Sequence, residues 1–254
     1  MGVASSSSDL SDDDTYRLVP WKNLPTLSRP QPNSERIKAY YTTYKGLSNG
    51  SGSRRALPTE LVLYICCLAG FEIWSTTRAP EGHKRIRASS AQAQSLVWFQ
   101  TEPFTRQMLR HTKSVQLVTI SRYRGQGKVR RGSSRSWFEL QVARPTEQDS
   151  SGVGVKRRPD GNEVSWPCLI HTIGRKKTQV QTQYAQHKGD VLDSEHEIWN
   201  HIEEGDVLQV VMKAQFPGWL NAAADGILRI STWWEPSAEM LDLMEQNNSD
   251  NQRE

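Results

Sequence analysis

The sequence predicts a mainly β protein, an antiparallel, jelly-roll-like β-sandwich with an N-terminal amphipathic helix and a disordered N-terminal tail. Three observations carry that prediction. From residue 115 the apolar pattern runs with period two, as strands require. Gly, Pro, Asn and Asp fall between most of the apolar runs, where turns between short strands belong. Finally, Ala214-Gln215-Phe216-Pro217-Gly218-Trp219-Leu220-Asn221 reads as strand, tight turn, an exposed or anchoring Trp and a further strand.

Taken in order, residues 1–56 form a disordered tail and linker. The first 34 hold a Ser run, the acidic Ser11-Asp12-Asp13-Asp14 and prolines at 20, 25, 30 and 32, too little apolar matter to offset ordering entropy. Residues 46–55 (GLSNGSGSRR) are a Gly/Ser linker. Residues 57–110 are a helical and basic lead-in segment. Its helix opens at Leu57-Pro58, with Pro58 and Glu60 suited to a first turn and Leu57, Leu61, Ile65 and Leu68 on one face. Residues 75–95 are polar and basic and read as a loop, whereas 96–104 fit a strand or a short helix.

The sandwich itself is expected over residues 111–235. Its clearest strand places Phe138, Leu140 and Val142 inward and Trp137, Glu139 and Gln141 outward. Further strands are expected at 168–173, 178–184, 195–200, 206–216 and 227–233, with 217–226 as a connection whose Trp219 covers the sandwich end. Residues 236–254 form a short helix and a frayed end.

Composition narrows the function classes. The chain has 254 residues, enough for one domain of about 150–200 residues with tails. Its three cysteines, Cys66, Cys67 and Cys168, lack CxxC spacing, which argues against a disulfide framework and a zinc site. No secretory signal or membrane-length apolar run is present, so an intracellular protein of the cytoplasm or nucleus is expected. Net charge is +4, but residues 75–135 hold 13 Lys and Arg against Glu81 and Glu102, while 136–254 hold 11 against 19 acidic residues. The simplest reading is that the two halves neutralise each other on folding.

Taken together and in order, Leu57-Pro58-Thr59-Glu60-Leu61-Val62-Leu63-Tyr64-Ile65, Trp137-Phe138-Glu139, His196-Glu197-Ile198-Trp199, Gly205-Asp206 and Phe216-Pro217-Gly218-Trp219-Leu220-Asn221 resemble an uncharacterised family of fungal proteins over about residues 57–234. That family has Ser-x-Asp-Gln-Gly-Trp before the Trp-Phe-Glu strand; this chain has Ser121-Arg122-Tyr123-Arg124-Gly125-Gln126-Gly127-Lys128 instead. The opening helix also resembles the first half of an F-box, which would imply an adaptor role, although the basic stretch 75–95 stands where an F-box carries further apolar anchors.

No acid/base pair or nucleophile stands out, so no catalytic residue, metal or cofactor is assigned. His196 and His201 are one residue too far apart for a helical zinc pair. Cys168 and His171 read as a small core Cys and a surface His. The leading expectation is a non-enzymatic binding or interaction module with an unknown protein partner. A second reading is a carbohydrate or small-ligand site built from Trp137, Glu139, Trp199, Trp219 and Asn221. Arg122, Arg124, Lys128, Arg130, Arg131 and Arg135 form a basic contact surface, yet few aromatics are interleaved with them, so nucleic acid is disfavoured as the partner. Met1-Gly2-x-x-x-Ser6 matches the N-myristoylation pattern at Gly2, but so short a match arises often by chance, and Asp12–Asp14 would be repelled by anionic lipid.

Overall fold

The alternating runs close two antiparallel sheets onto each other. The computed structural model describes residues 26–27, 34–50, 52–124, 135–145, 152–171 and 181–242. Two helices come first, α1 (Ser34–Asn49) and α2 (Thr59–Leu68). Strands β1 (Glu72–Arg78), β2 (Lys84–Arg87) and β3 (Gln94–Gln100) follow, then a short helix α3 (Arg106–His111). The chain continues through β4 (Thr112–Arg124), β5 (Ser136–Pro145), β6 (Val153–Val155), β7 (Ser165–Ile170) and β8 (Gln181–Asp193). After a 3-10 turn at Glu197–Asn200 come β9 (Val207–Ala214) and β10 (Leu220–Trp233).

The first sheet runs β1-β10-β4-β8, with β2 also on β10; the second runs β3-β9-β5-β6, with β7 also on β5. The register explains the extra strands. Residues 227–233 of β10 pair with β1 and residues 220–223 with β2, so β1 and β2 are two pieces of one broken edge strand. Likewise β6 pairs with residues 143–145 of β5 and β7 with residues 137–141. Counting each broken strand once, the sheets read 1-8-3-6 and 2-7-4-5 in chain order, the connectivity of a jelly roll.

Inward residues of both sheets make the core. Leu117, Phe138, Leu140, Val142, Leu208, Val210, Met212 and Leu228 are completely buried in one cluster. Each such side chain contributes roughly 1.5–3 kcal/mol by leaving water. Gly226 is required by close packing: a Cβ there would collide with the Trp98 ring from the opposite sheet. One end of the sandwich is tied by Asp206, which is fully buried. Arg144 donates Nε–H to its Oδ1 at 2.6 Å, and Lys156 and the Glu203 amide donate to its Oδ2 at 3.0 and 2.8 Å.

Several elements differ from the sequence expectation. The sandwich begins at Glu72, because residues 75–95 hold the second part of β1 and all of β2 rather than only a loop. Both are solvated edge pieces, and so they lack the half-buried alternation by which strands are recognised. The segment assigned to tail and linker contains α1, whose Tyr40, Tyr41 and Tyr44 are buried. It also contains Leu27, which is only 6% exposed and packs on the outer face of the first sheet. Residues 195–200 are not a strand: the Ile198 amide donates to His196 Nδ1 at 3.1 Å and caps a 3-10 turn. Strand β10 starts at Leu220, so Ala222, Ala223 and Ala224 lie within a strand rather than a connection. Gln141 is buried, not outward in solvent, because it donates to Glu163 at 3.0 Å.

Helix α2 turns its predicted apolar stripe the other way. Val62 and Cys66 are buried against Tyr40, Tyr41, Tyr44 and Trp234, whereas Leu61, Tyr64, Ile65 and Leu68 face water. Around Trp234 the rings interlock: Phe71 stacks on Tyr40 at 4.0 Å, and Tyr41 meets Trp234 edge-on at 5.0 Å. Ring pairs of this kind contribute about 0.5–1.5 kcal/mol beyond area burial.

Candidate functional site

Trp137 and Glu139 stand on the outer side of β5, two residues apart as strand alternation dictates. The Trp137 indole donates to Glu139 Oε1 at 2.6 Å, Ser165 donates to Oε2 at 2.7 Å, and Lys213 lies 3.4 Å from the same oxygen. The carboxylate is therefore engaged from within the protein, by residues on β5, β7 and β9.

Asn221 is fully buried. Its Nδ2 donates to the carbonyl of Trp137 at 2.9 Å and to that of Lys213 at 3.4 Å, tying β10 of one sheet to β5 and β9 of the other. Trp219 is 4% exposed and packs among Ala88, Tyr123 and Ala214. Its corner is sharp: Gly218 adopts φ +84° and Phe216 φ +68°, a left-handed conformation costly for a non-glycine residue. The Arg135 guanidinium over the Phe216 ring, at 4.9 Å, and the hydrogen bond from the Ala88 amide to the Trp219 carbonyl, at 2.9 Å, hold it there. Trp219 is thus the structural corner that covers a sandwich end.

Trp199 belongs to a different region. It sits in the 3-10 turn, donates to the Asp193 carbonyl at 2.5 Å and meets Phe104 edge-on at 6.5 Å. Phe104 donates its amide to the Asp206 carbonyl, which places Trp199 beside the Asp206 end. Trp137, Trp219 and Asn221 gather at the other end, so the residues of the expected ligand site do not converge.

Of the expected basic surface, Arg122 and Arg124 lie on β4 and Arg135 leads into β5; Lys128, Arg130 and Arg131 lie outside the described residues, as does Gly2. Arg122 covers the Tyr184 ring at 4.8 Å, so it is engaged within the first sheet. Among the described residues no group of three His, Cys, Asp or Glu is placed to hold a metal, and no helix is long and apolar enough to cross a membrane.

One polar cluster was hidden in the sequence. His171, expected at the surface, is 1% exposed. Its Nδ1 lies 3.2 Å from the Ser136 carbonyl, which can only accept, so Nδ1 carries the proton. Nε2 then accepts from the Ser121 hydroxyl at 3.1 Å, and Ser121 contacts Thr119 at 2.8 Å. Tyr123 stacks on the imidazole at 4.7 Å and His187 meets it edge-on at 5.0 Å. Burial, aided by neighbouring His187, pushes the imidazole down to about 3, so it stays neutral. The arrangement resembles a nucleophile and base, but Ser121 and His171 are sealed from substrate. Cys168 is buried as expected, and burial raises its thiol well above the ordinary range.

Among the described residues, the outer face of α2 is open to a partner. Leu61, Tyr64, Ile65 and Leu68 are 51%, 61%, 38% and 70% exposed and follow the i, i+3, i+4, i+7 spacing of one helical stripe.

The fold defines a jelly-roll β-sandwich protein with a helical pair packed at one end of a sheet. No family model matches the chain, and no curated protein matches it. Among solved structures it is similar to the infectious bursal disease virus VP2 subviral particle, at 8% identity and TM-score 0.33, over 63% of this chain and 32% of that one. It is also similar to the infectious bursal disease virus Gt strain structure, at 10% identity and TM-score 0.30, over 64% of this chain and 32% of that one. The chain thus spans about a third of the length of the solved chains it matches.

Proposed function

We propose that the protein is a non-enzymatic interaction module of the cytoplasm or nucleus, and that α2 is its docking helix. One observation carries the reading: a helix that already buries Val62 and Cys66 presents a second apolar stripe of four large side chains to water. Such a stripe is costly to leave wet and has the spacing by which helices enter hydrophobic grooves. The partner that fits is a protein with an apolar groove. Over residues 34–68 Arg36, Lys38, Lys45, Arg54 and Arg55 outnumber Glu35 and Glu60, so an acidic surface on that partner is favoured. The non-enzymatic reading is supported by the sealed His171–Ser121 pair and the internally satisfied Glu139. An adaptor role of the kind implied by the F-box-like opening is one form of this function.

The test compares the wild-type chain with a Leu61→Glu/Leu68→Glu variant of unchanged melting temperature. A purified partner that binds the wild type, cross-links to a photoreactive residue at position 64 and loses at least about tenfold in affinity for the variant supports the proposal. Identical binding by both chains overturns it. So does concentration-dependent dimerisation of the wild type alone, which would assign the stripe to a second copy.

A further inference from the structure

Thr26 and Leu27 are the described residues that precede Ser34, and Leu27 is a buried leucine outside the main core cluster. It rests on Val118, Ile120 and Ile227, which project from adjacent positions of β4 and β10 on the outer face of the first sheet. Tyr184 and Ala224 close the sides. An apolar floor on the outer face of a sheet would otherwise be wet.

The polar half of the contact is as specific. The Leu27 amide donates to Asp225 Oδ2 at 2.7 Å. Asp225 is 5% exposed and is fixed from two further directions: Arg78 donates Nη2–H to Oδ2 at 2.5 Å and Nε–H to Oδ1 at 3.2 Å, and the Gly226 amide donates to Oδ1 at 2.8 Å. The register shift of β10 between Ala223 and Asp225 is what aims this carboxylate. A buried carboxylate held by a guanidinium and a backbone amide, with one lone pair turned to an incoming N–H, is a preorganised acceptor. It sits beside a hydrophobic seat the size of a leucine.

We propose that this is a peptide-binding seat, which recognises a leucine by its side chain and its own amide, and that Leu27 occupies it in cis. The occupant is the chain's own N-terminal segment, acting as a detachable clasp on the first sheet. A tethered segment competes at an effective concentration of about millimolar, so a free copy binds poorly until the clasp is released.

The experiment uses a synthetic peptide spanning residues 20–34 and the full-length chain. Leu27→Asp should eject the clasp and bind the peptide with one-to-one stoichiometry, about tenfold more tightly than the wild type does. A peptide carrying Leu27→Ser should fail to bind, and adding Asp225→Asn to the Leu27→Asp chain should weaken binding by about tenfold or more. Independently of any variant, the Leu27 amide of the wild type should exchange hydrogen at least about tenfold more slowly than an unprotected amide, and excess peptide should abolish that protection. An unprotected Leu27 amide overturns the proposal, as does a folded Leu27→Asp chain that does not bind the peptide. A dimeric wild type that becomes monomeric on Leu27→Asp overturns the cis occupancy.

Discussion

His171 and Ser121 meet between the two sheets, imidazole Nε2 to hydroxyl Oγ at 3.1 Å, with both side chains buried. The imidazole is held neutral, at about 3 against an ordinary value of 6.5. The unfolded chain therefore binds a proton that the folded chain refuses. Stability from this group is complete above about pH 6.5 and is lost as pH falls toward 3, by about 2 kcal/mol at pH 5. Burial lowers His187 as well, in the same direction. Melting temperatures at pH 7.5 and 5.0 should fall more steeply for the wild type than for His171→Asn, which lacks the titrating group. Equal slopes would refute the assignment.

Asp206 should be the costliest polar residue to remove. Its carboxylate is fully buried while Arg144 and Lys156 reach it from partly exposed positions. Asp206→Asn should lower stability by about 2–3 kcal/mol, below the full penalty of an orphaned buried charge because both cations retain access to water and to Glu203. Arg144→Ala should cost less, since Lys156 still pairs with the acid. Chemical denaturation of the three chains checks the order.

Trp219→Ala should cost about 3–5 kcal/mol, because the ring fills the space between Ala88, Tyr123 and Ala214. Trp219→Phe should be milder, with most of the apolar area retained. A Trp219→Ala chain of native stability would contradict the corner role.

The orientation of α2 is testable by a pair of neighbours. Val62→Ala should cost about 1–2 kcal/mol, as a fully buried residue loses two methyl groups. Leu61→Ala should stay within about 0.5 kcal/mol, since that side chain is half in water. Reversed costs would place the other stripe inward and remove the basis for a docking helix.

The strands that were legible in the sequence are those with one wet and one dry face. Phe138, Leu140 and Val142 alternate on β5 and are all buried. Strands β1 and β2 were missed because an edge strand wet on most of its surface has no period to read. Helix α1 was missed because its buried face is made of Tyr40, Tyr41 and Tyr44 in a segment poor in aliphatics. For α2 the helix was legible but not its inward face: two apolar stripes compete, and the choice is made by Trp234, distant in sequence. The same distance hid the fate of Glu139. Its acidic type beside Trp137 suggested a ligand, but its partners Ser165 and Lys213 become visible only once β7 and β9 lie against β5.

The broken edge strands carry a consequence for the life of the protein at high concentration. A long, flat, unpaired strand invites another molecule to extend the sheet. Here one border of each sheet is divided into short pieces, β1 with β2 and β6 with β7, and β2 bears Lys84, Arg85 and Arg87. At the remaining borders β7 comes up against β8 and β2 against β3, and at the former Gly189 lets the Cys168 carbonyl approach so closely that any side chain would be excluded. At the divided borders an added strand would meet a gap or a cation before it had extended the ladder along the whole edge. Those borders therefore offer a second molecule a shorter template than one unbroken strand would.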